Sequence, residues 1–187
     1  DVTLRDGEQT PGVVFRKEEK LKIAHALEDA GIQRIEGGMI ATSEEDFDAL
    51  ATMAKEIKHA EVACFSRARR DDMELAVKSK VKRAVMEITA QDPIIKNIWG
   101  SRGKAVEEII KLVKFGKENG LKVTYFLMES SRASLDLLRD IIIPVAEEGK
   151  PDHIAIVDTR GSAYPPAFAW LVAQVKRRPQ ITVLTGA

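Results

Sequence analysis

Residues Gly103–Leu127, GKAVEEIIKLVKFGKENGLKVTYFL, hold the pattern on which the reading of the fold turns. An amphipathic helix runs from Gly103 to Asn119, Gly120 ends it as a C-terminal glycine does, and Lys122 to Leu127 reads as a strand. The same succession recurs in both directions along the chain. Toward the N-terminus, Ala84–Ile88 is a strand separated from the long helix by an irregular stretch. Before it come a helix near Arg70–Lys78, a strand at Ala60–Phe65, and a helix through about Ile57 whose N-cap is Ser43, with Asp46 as an imperfect capping box. Arg34–Gly37 is a further strand. Lys17–Ala30 is a helix ended by Gly31, with Leu21, Ala24, Leu27 and Ala30 on one stripe. Val2-Thr3-Leu4 reads as the end of a first strand. Toward the C-terminus lie a helix at Ser134–Glu148 that Pro144 kinks or shortens, a strand at His153–Val157, a helix at Pro166–Arg177 and a strand at Gln180–Leu184.

Strict alternation of strands and helices implies a parallel sheet with helical crossovers. Seven strands spaced by about 25 residues fit an α/β fold of the (β/α)8 TIM-barrel kind, here strands one to seven with the end of the barrel missing. The rival is a doubly wound sheet, and no G-x-G-x-x-G follows the first strand to support its dinucleotide-binding form. No linker or low-complexity segment divides the chain, so residues 1–187 are expected to be one incomplete barrel domain with no second domain.

Composition narrows the function. Lys and Arg number 29 against 29 Asp and Glu, and this balance argues against nucleic acid or an anionic membrane as the main partner. No run approaches the roughly 20 apolar residues of a membrane span, and no basic-then-apolar segment opens the chain. A single cysteine precludes an internal disulfide and fits a reducing, cytoplasmic setting. Cys64, inside an apolar strand, reads as a small buried residue, Trp99 as a loop anchor and Trp170 as a helix packing residue.

Barrel chemistry sits at the C-terminal ends of strands. The residues there are Arg5 to Gln9 after the first strand, Glu36-Gly37-Gly38 after the second, Ser66-Arg67 after the third and Glu87-Ile88-Thr89 after the fourth. Glu129 to Arg132 follow the fifth and Asp158 to Gly161 the sixth. Taken singly, such residues are more often solvated loop residues or helix caps. The Arg5–Gln9 cluster is denser than a turn needs: Asp6 suits a hard divalent cation, and Arg5 beside it suits a developing oxyanion. None of His25, His59 and His153 lies at the C-terminal end of a strand, which disfavours a histidine metal site, a histidine base or Ser-His-Asp chemistry.

At DVTLRDGEQTPG, Asp1 to Gly12, the sequence resembles the isopropylmalate, homocitrate and citramalate synthases, of the metal-dependent TIM-barrel superfamily that includes hydroxymethylglutaryl-CoA lyase. Arg34 to Gly38 with Ser43 to Phe47 resembles that family's second-strand segment, and Ile156 to Gly161 with Pro165 its D-T-x-G turn. The resemblance implies a Claisen condensation of acetyl-CoA with a 2-oxo acid on a divalent metal (Mg, Mn or Zn), driven by thioester hydrolysis. It implies an acyltransferase of amino-acid biosynthesis, such as leucine biosynthesis, and a homodimer. Asp6 matches a metal ligand and Arg5 the group that polarises the keto oxygen; Glu36 and Thr159 match positions that bind the oxo acid, with Gln9 beside them and Arg67 as a further basic residue.

There are departures. The family's E-D-x-[ST]-R string is here Met128 to Arg132, so either Glu129 supplies the catalytic acid in a shifted register or Met128 replaces it. The family's H-x-H pair, eighth strand and C-terminal regulatory domain have no counterpart, and the 187 residues are expected to be part of a larger chain. Two other readings stand beside the synthase: a lyase or aldolase of the same superfamily, cleaving a 3-hydroxyacyl-CoA or hydroxy-oxo acid, and a non-catalytic, ligand-binding barrel relative.

Overall fold

The computed structural model describes residues 1–177 and 183–186. Its strands are β1 (Arg34–Met39), β2 (Glu61–Arg67), β3 (Arg83–Thr89), β4 (Lys122–Met128), β5 (His153–Val157) and β6 (Val183–Gly186). Between them run α1 (Lys17–Asp29), α2 (Glu44–Glu56), α3 (Arg70–Ser79), α4 (Asp92–Trp99), α5 (Arg102–Glu118), α6 (Leu135–Pro144) and α7 (Pro165–Lys176). The strands are hydrogen-bonded in chain order, β1-β2-β3-β4-β5-β6. That order decides between the two architectures. A doubly wound sheet turns back on itself at a switch point, whereas a (β/α)8 barrel lays each new strand beside the last. The registers are parallel, with Ile35 opposite Val62, Tyr125 opposite Ile154 and Ala155 opposite Leu184. The chain has the strand order of a TIM barrel, of which it forms a part.

By its internal contacts the chain divides into two compact units, Asp1–Val85 with Glu118–Lys122 and Met86–Lys117 with Val123–Ala187. In the first, Leu4, Ile35, Leu50, Met53, Cys64 and Met73 are fully buried. Burial pushes the Cys64 thiol up to about 12, in keeping with a small core residue. Gly37 has no room for a side chain, since a Cβ there would lie 2.8 Å from the Met53 sulfur and 2.9 Å from Leu50 Cδ2. Ser43 caps α2 by accepting the Asp46 N–H at 3.0 Å and donating its hydroxyl to Asp46 Oδ2 at 2.7 Å. The starts of four strands meet on one carboxylate: Glu61 accepts from Arg34 at 2.8 Å, Arg83 at 2.7 Å and Lys122 at 2.8 Å. In the second unit, Ile109, Val113, Val123, Ile141, Val145 and Ile156 form the core.

Four expectations need correction. Val2-Thr3-Leu4 is a turn rather than a strand: the Val2 carbonyl accepts the N–H groups of Arg5, Asp6 and Gly7, and the Asp1 carboxylate takes the Thr3 N–H at 2.8 Å. Only Asp1 bonds as strand does, donating to the Arg34 carbonyl and accepting from the Glu36 N–H. The stretch between β3 and α5 is helical, because Asp92-Pro93 starts α4 with a residue that needs no amide partner and Gly100 ends it at φ 82°. The buried stripe of α1 runs through Lys20 and Ala24 rather than Leu21 and Ala30. Trp170 does not pack: it is 51% exposed. Pro144 acts as expected. Lacking an amide hydrogen, it closes α6, and residues Val145–Gly149 widen into a π turn that ends with the Lys150 N–H on the Val145 carbonyl. The last expected strand, Gln180–Leu184, lies partly outside the described residues, and the strand described there is Val183–Gly186.

Candidate active site

Two of the candidate residues of the first unit, Asp6 and Glu36, gather around the Arg5 guanidinium. Leu4, fully buried, anchors the turn after Asp1, and the chain continues into a short 3-10 turn at Gly7–Gln9. Arg5 therefore projects from a backbone pinned on both sides. Its Nε donates to Glu36 Oε2 at 2.9 Å, its Nη1 donates to Asp6 Oδ1 at 2.8 Å, and its guanidinium carbon lies 4.4 Å from the centre of the Phe65 ring. Only 10% of the side chain is exposed, whereas Asp6 is half-exposed. Glu36 is delivered by β1 just before a register shift between Glu36 and Met39, where Gly38 takes a φ of 145° that other residues avoid.

Gln9 closes the 3-10 turn and is exposed. Arg67 ends β2, but its fork is committed to Asp72, with Nε to Oδ2 and Nη2 to Oδ1 both at 2.9 Å. The basic run Arg67 to Arg70 is thus laced to acids at the start of α3, since Arg69 pairs with Asp71 and Arg70 with Glu74.

The second unit carries Glu129 and Thr159. Glu129 directly follows β4, is 5% exposed in its side chain, and holds a φ of 61°. Its carboxylate accepts from Arg160 Nε at 3.0 Å and lies 3.6 Å from Arg132 Nη1; its N–H donates to Thr159 Oγ1 at 2.8 Å. The residue before Thr159 is itself bonded to both flanking segments. Asp158 accepts from Ser131 Oγ at 2.6 Å and from the Ala163 N–H at 2.7 Å, and these bonds keep its carboxyl below the usual carboxylate range. Ala90, Gln91, Glu129, Arg132 and Arg160 line a hollow of about 270 Å³. The hollow thus presents two guanidinium groups already paired with the Glu129 carboxylate, and the Gln91 side chain.

Asp6 has the chemistry of a ligand for a divalent cation. Among the described residues, however, no three His, Cys, Asp or Glu side chains stand close enough to hold one. No helix among the described residues is long and apolar enough to cross a membrane.

Sequence reasoning missed Lys20 and Phe65, read Asp46 only as a capping residue, and placed Arg132 and Arg160 at strand ends without giving them a partner. Lys20 had a legible signal, because it precedes Ala24 and Leu27 by one and two helical turns and so falls on the buried face. Phe65 was legible as the partner of Arg67 on one face of β2, two residues away. The pair of Arg160 with Glu129 spans 31 positions and leaves no local pattern, whereas Arg132 lies only three residues beyond Glu129.

A family model described as HMGL-like matches residues 1–184. The homocitrate synthase AksA of Methanopyrus kandleri is 35% identical over 177 residues, which is 94% of this chain and 44% of that protein. A protein of Ignicoccus hospitalis named "probable 2-isopropylmalate synthase" is 34% identical over 92% of this chain and 43% of its own length. The homocitrate synthase of Pyrococcus horikoshii is 34% identical over 94% of this chain and 48% of its own length. The chain thus spans somewhat under half the length of these relatives. Among solved structures, the HMG-CoA lyase of Bacillus subtilis superposes with a TM-score of 0.81 over 99% of this chain and 66% of that one, at 18% identity. That likeness carries the fold. Matched along nearly its whole length by one family model, and by relatives more than 30% identical to it, the chain belongs to the HMGL-like family.

Proposed function

We propose that the full-length protein to which this chain belongs is an acyltransferase condensing acetyl-CoA with a 2-oxo acid. A methyl proton leaves acetyl-CoA, the resulting enolate carbon forms a bond to the ketone carbon, and that ketone oxygen becomes an alcohol. Water then cleaves the thioester and releases the CoA thiol.

The observation that carries this reading is the fixation of Arg5. Charge develops on oxygen twice in the reaction, on the enolate and on the former ketone. A guanidinium that needs no reorganisation stabilises such charge far better than a mobile one. Arg5 is held at two nitrogens by Glu36 and Asp6 and from one face by Phe65. Its permanent charge suits the task at any working pH. In this reading Glu36 serves the substrate by aiming Arg5, and the exposed Gln9 amide contacts the oxo acid. Thr159 holds the backbone of Glu129, which moves a proton, and Arg67 contributes positive charge while paired to Asp72. Asp6 is a ligand of a divalent cation, Mg, Mn or Zn, which acts as a Lewis acid when bound. The relatives' names support the reaction class and span more than one oxo acid.

The test is direct. Full-length protein, acetyl-CoA, Mg²⁺ or Mn²⁺ and a panel of 2-oxo acids are mixed, and free thiol is followed. Thiol release that requires one oxo acid supports the reading and names the substrate; no release with any oxo acid sinks it.

A further inference from the structure

The Lys20 ammonium has a place that the reaction outlined above leaves unused. It is 2% exposed, although it belongs to an outer helix of the first unit. Its Nζ donates to Glu8 Oε2 at 2.6 Å and to Asp46 Oδ1 at 2.5 Å. The other oxygen of each carboxylate is also occupied, Glu8 Oε1 by the Phe15 N–H at 3.0 Å and Asp46 Oδ2 by the Ser43 hydroxyl at 2.7 Å. All four carboxylate oxygens thus accept a hydrogen bond within the cluster. Burial alone would disfavour the ammonium, but its hydrogen bonds to Asp46 and Glu8 outweigh that and hold the Lys20 pKa above its ordinary value.

What the cluster touches gives it a purpose. A Cβ placed on Gly38 would lie 3.6 Å from Lys20 Nζ and 3.7 Å from the Leu4 carbonyl, so the ammonium, the Leu4–Arg5 peptide and the end of β1 converge on one glycine. Glu8 is in the same short turn as Arg5 and Asp6, and Gly38 is two residues beyond Glu36. Both groups that grip Arg5 are thus carried by segments that Lys20 touches. Asp46 belongs to α2 and reaches the same glycine, its Oδ1 4.0 Å from that Cβ, while its bonds run to Lys20 and to Ser43.

We infer that Lys20 is a positioning residue, which through Glu8 fixes the turn bearing Arg5 and Asp6 at the angle the reaction needs, with Asp46 as its counterweight. The inference rests on the condensing function proposed above. A merely structural ion cluster would behave differently, because loss of either carboxylate would then weaken the fold and the activity alike.

The experiment compares Glu8→Gln, Asp46→Asn and Lys20→Met in the full-length protein. Expected is a fall in kcat of at least tenfold for Glu8→Gln, with KM for acetyl-CoA within twofold of the parent, since an aim lost from Arg5 is felt in the transition state. Asp46→Asn should lose less than threefold in kcat while lowering the melting temperature as much as Glu8→Gln does. Lys20→Met, where it folds, should match or exceed Glu8→Gln. Equal losses of kcat in the two carboxylate variants would overturn the inference. If the parent releases no thiol, the functional reading has failed and hydrogen exchange decides instead. The amides of Arg5, Asp6 and Gly7, all bonded to the Val2 carbonyl, should then exchange at least fivefold faster in Glu8→Gln than in Asp46→Asn. Equal rates overturn the inference.

Discussion

Glu129 holds a left-handed backbone, at φ 61°, that costs a residue with a Cβ about 1–2 kcal/mol. Such strain persists where the surroundings over-determine it, and here they do: two arginines hold the carboxylate and Thr159 holds the amide. Glycine would relieve the strain, and Arg132 and Arg160, both more than half exposed, would not be left as buried charges. Glu129→Gly is therefore expected to keep the melting temperature within a few degrees of the parent while thiol release falls at least a hundredfold. A variant that loses stability instead would assign Glu129 to the scaffold. Tyr125 is the opposite case. Its hydroxyl is fully buried in β4 with no hydrogen-bond partner among the described residues, and burial pushes its pKa up. Tyr125→Phe removes an unpaid desolvation and should raise stability by about 1 kcal/mol, read by denaturant titration. At this scale the sequence was legible where a motif is contiguous. Arg5 and Asp6 stand side by side in it, whereas Arg160 reaches Glu129 across 31 positions and nothing local announces the pair.

The elements were legible wherever period and punctuation agreed. Strand β5 has the bounds its apolar run suggested, and α2 starts at the cap that Ser43 provides. Reading failed where a side-chain bond overrode propensity. Val2 to Leu4 has β-forming residues, yet three amides on one carbonyl coil it into a turn. It also failed in α4, whose stop glycine and first-turn proline are textual but whose eight residues were too few to show a period. One contact between elements is unforgiving. Gly37 lets β1 approach α2 so closely that a methyl group would strike Met53 and Leu50. Gly37→Ala is expected to destabilise the protein by about 1–3 kcal/mol through overpacking, measured by denaturant titration. Because Gly37 adjoins Glu36, the variant should also slacken the hold on Arg5.

At the scale of the molecule, the alternation of strands and helices announced a parallel sheet, but only the strand order told barrel from doubly wound sheet. That order depends on pairings between segments distant in sequence, so no local pattern records it. The ion cluster on Glu61 ties together the starts of the first four strands. Burial by itself would raise the Glu61 carboxyl, but the hydrogen bonds of Arg83 and Lys122 and the nearby charges bring it from 4.5 down to about 2. A carboxyl with a depressed pKa stabilises the fold fully above its unfolded value and loses that contribution as pH falls through the folded one. Stability should therefore decline between about pH 4.5 and pH 2, by on the order of 3 kcal/mol from this group. Glu61→Gln, less stable than the parent at pH 7, should converge on it near pH 2, and thermal melts across that range check the sign.

Such melts can be followed from inside. With burial pushing its thiol well up in the middle of β2, Cys64 stays protonated at neutral pH and closed to reagents while the strand is packed. This cysteine stays silent in a thiol-release assay. Its labelling rate becomes a clock for the opening of the first unit, ticking only when the sheet around β2 comes apart.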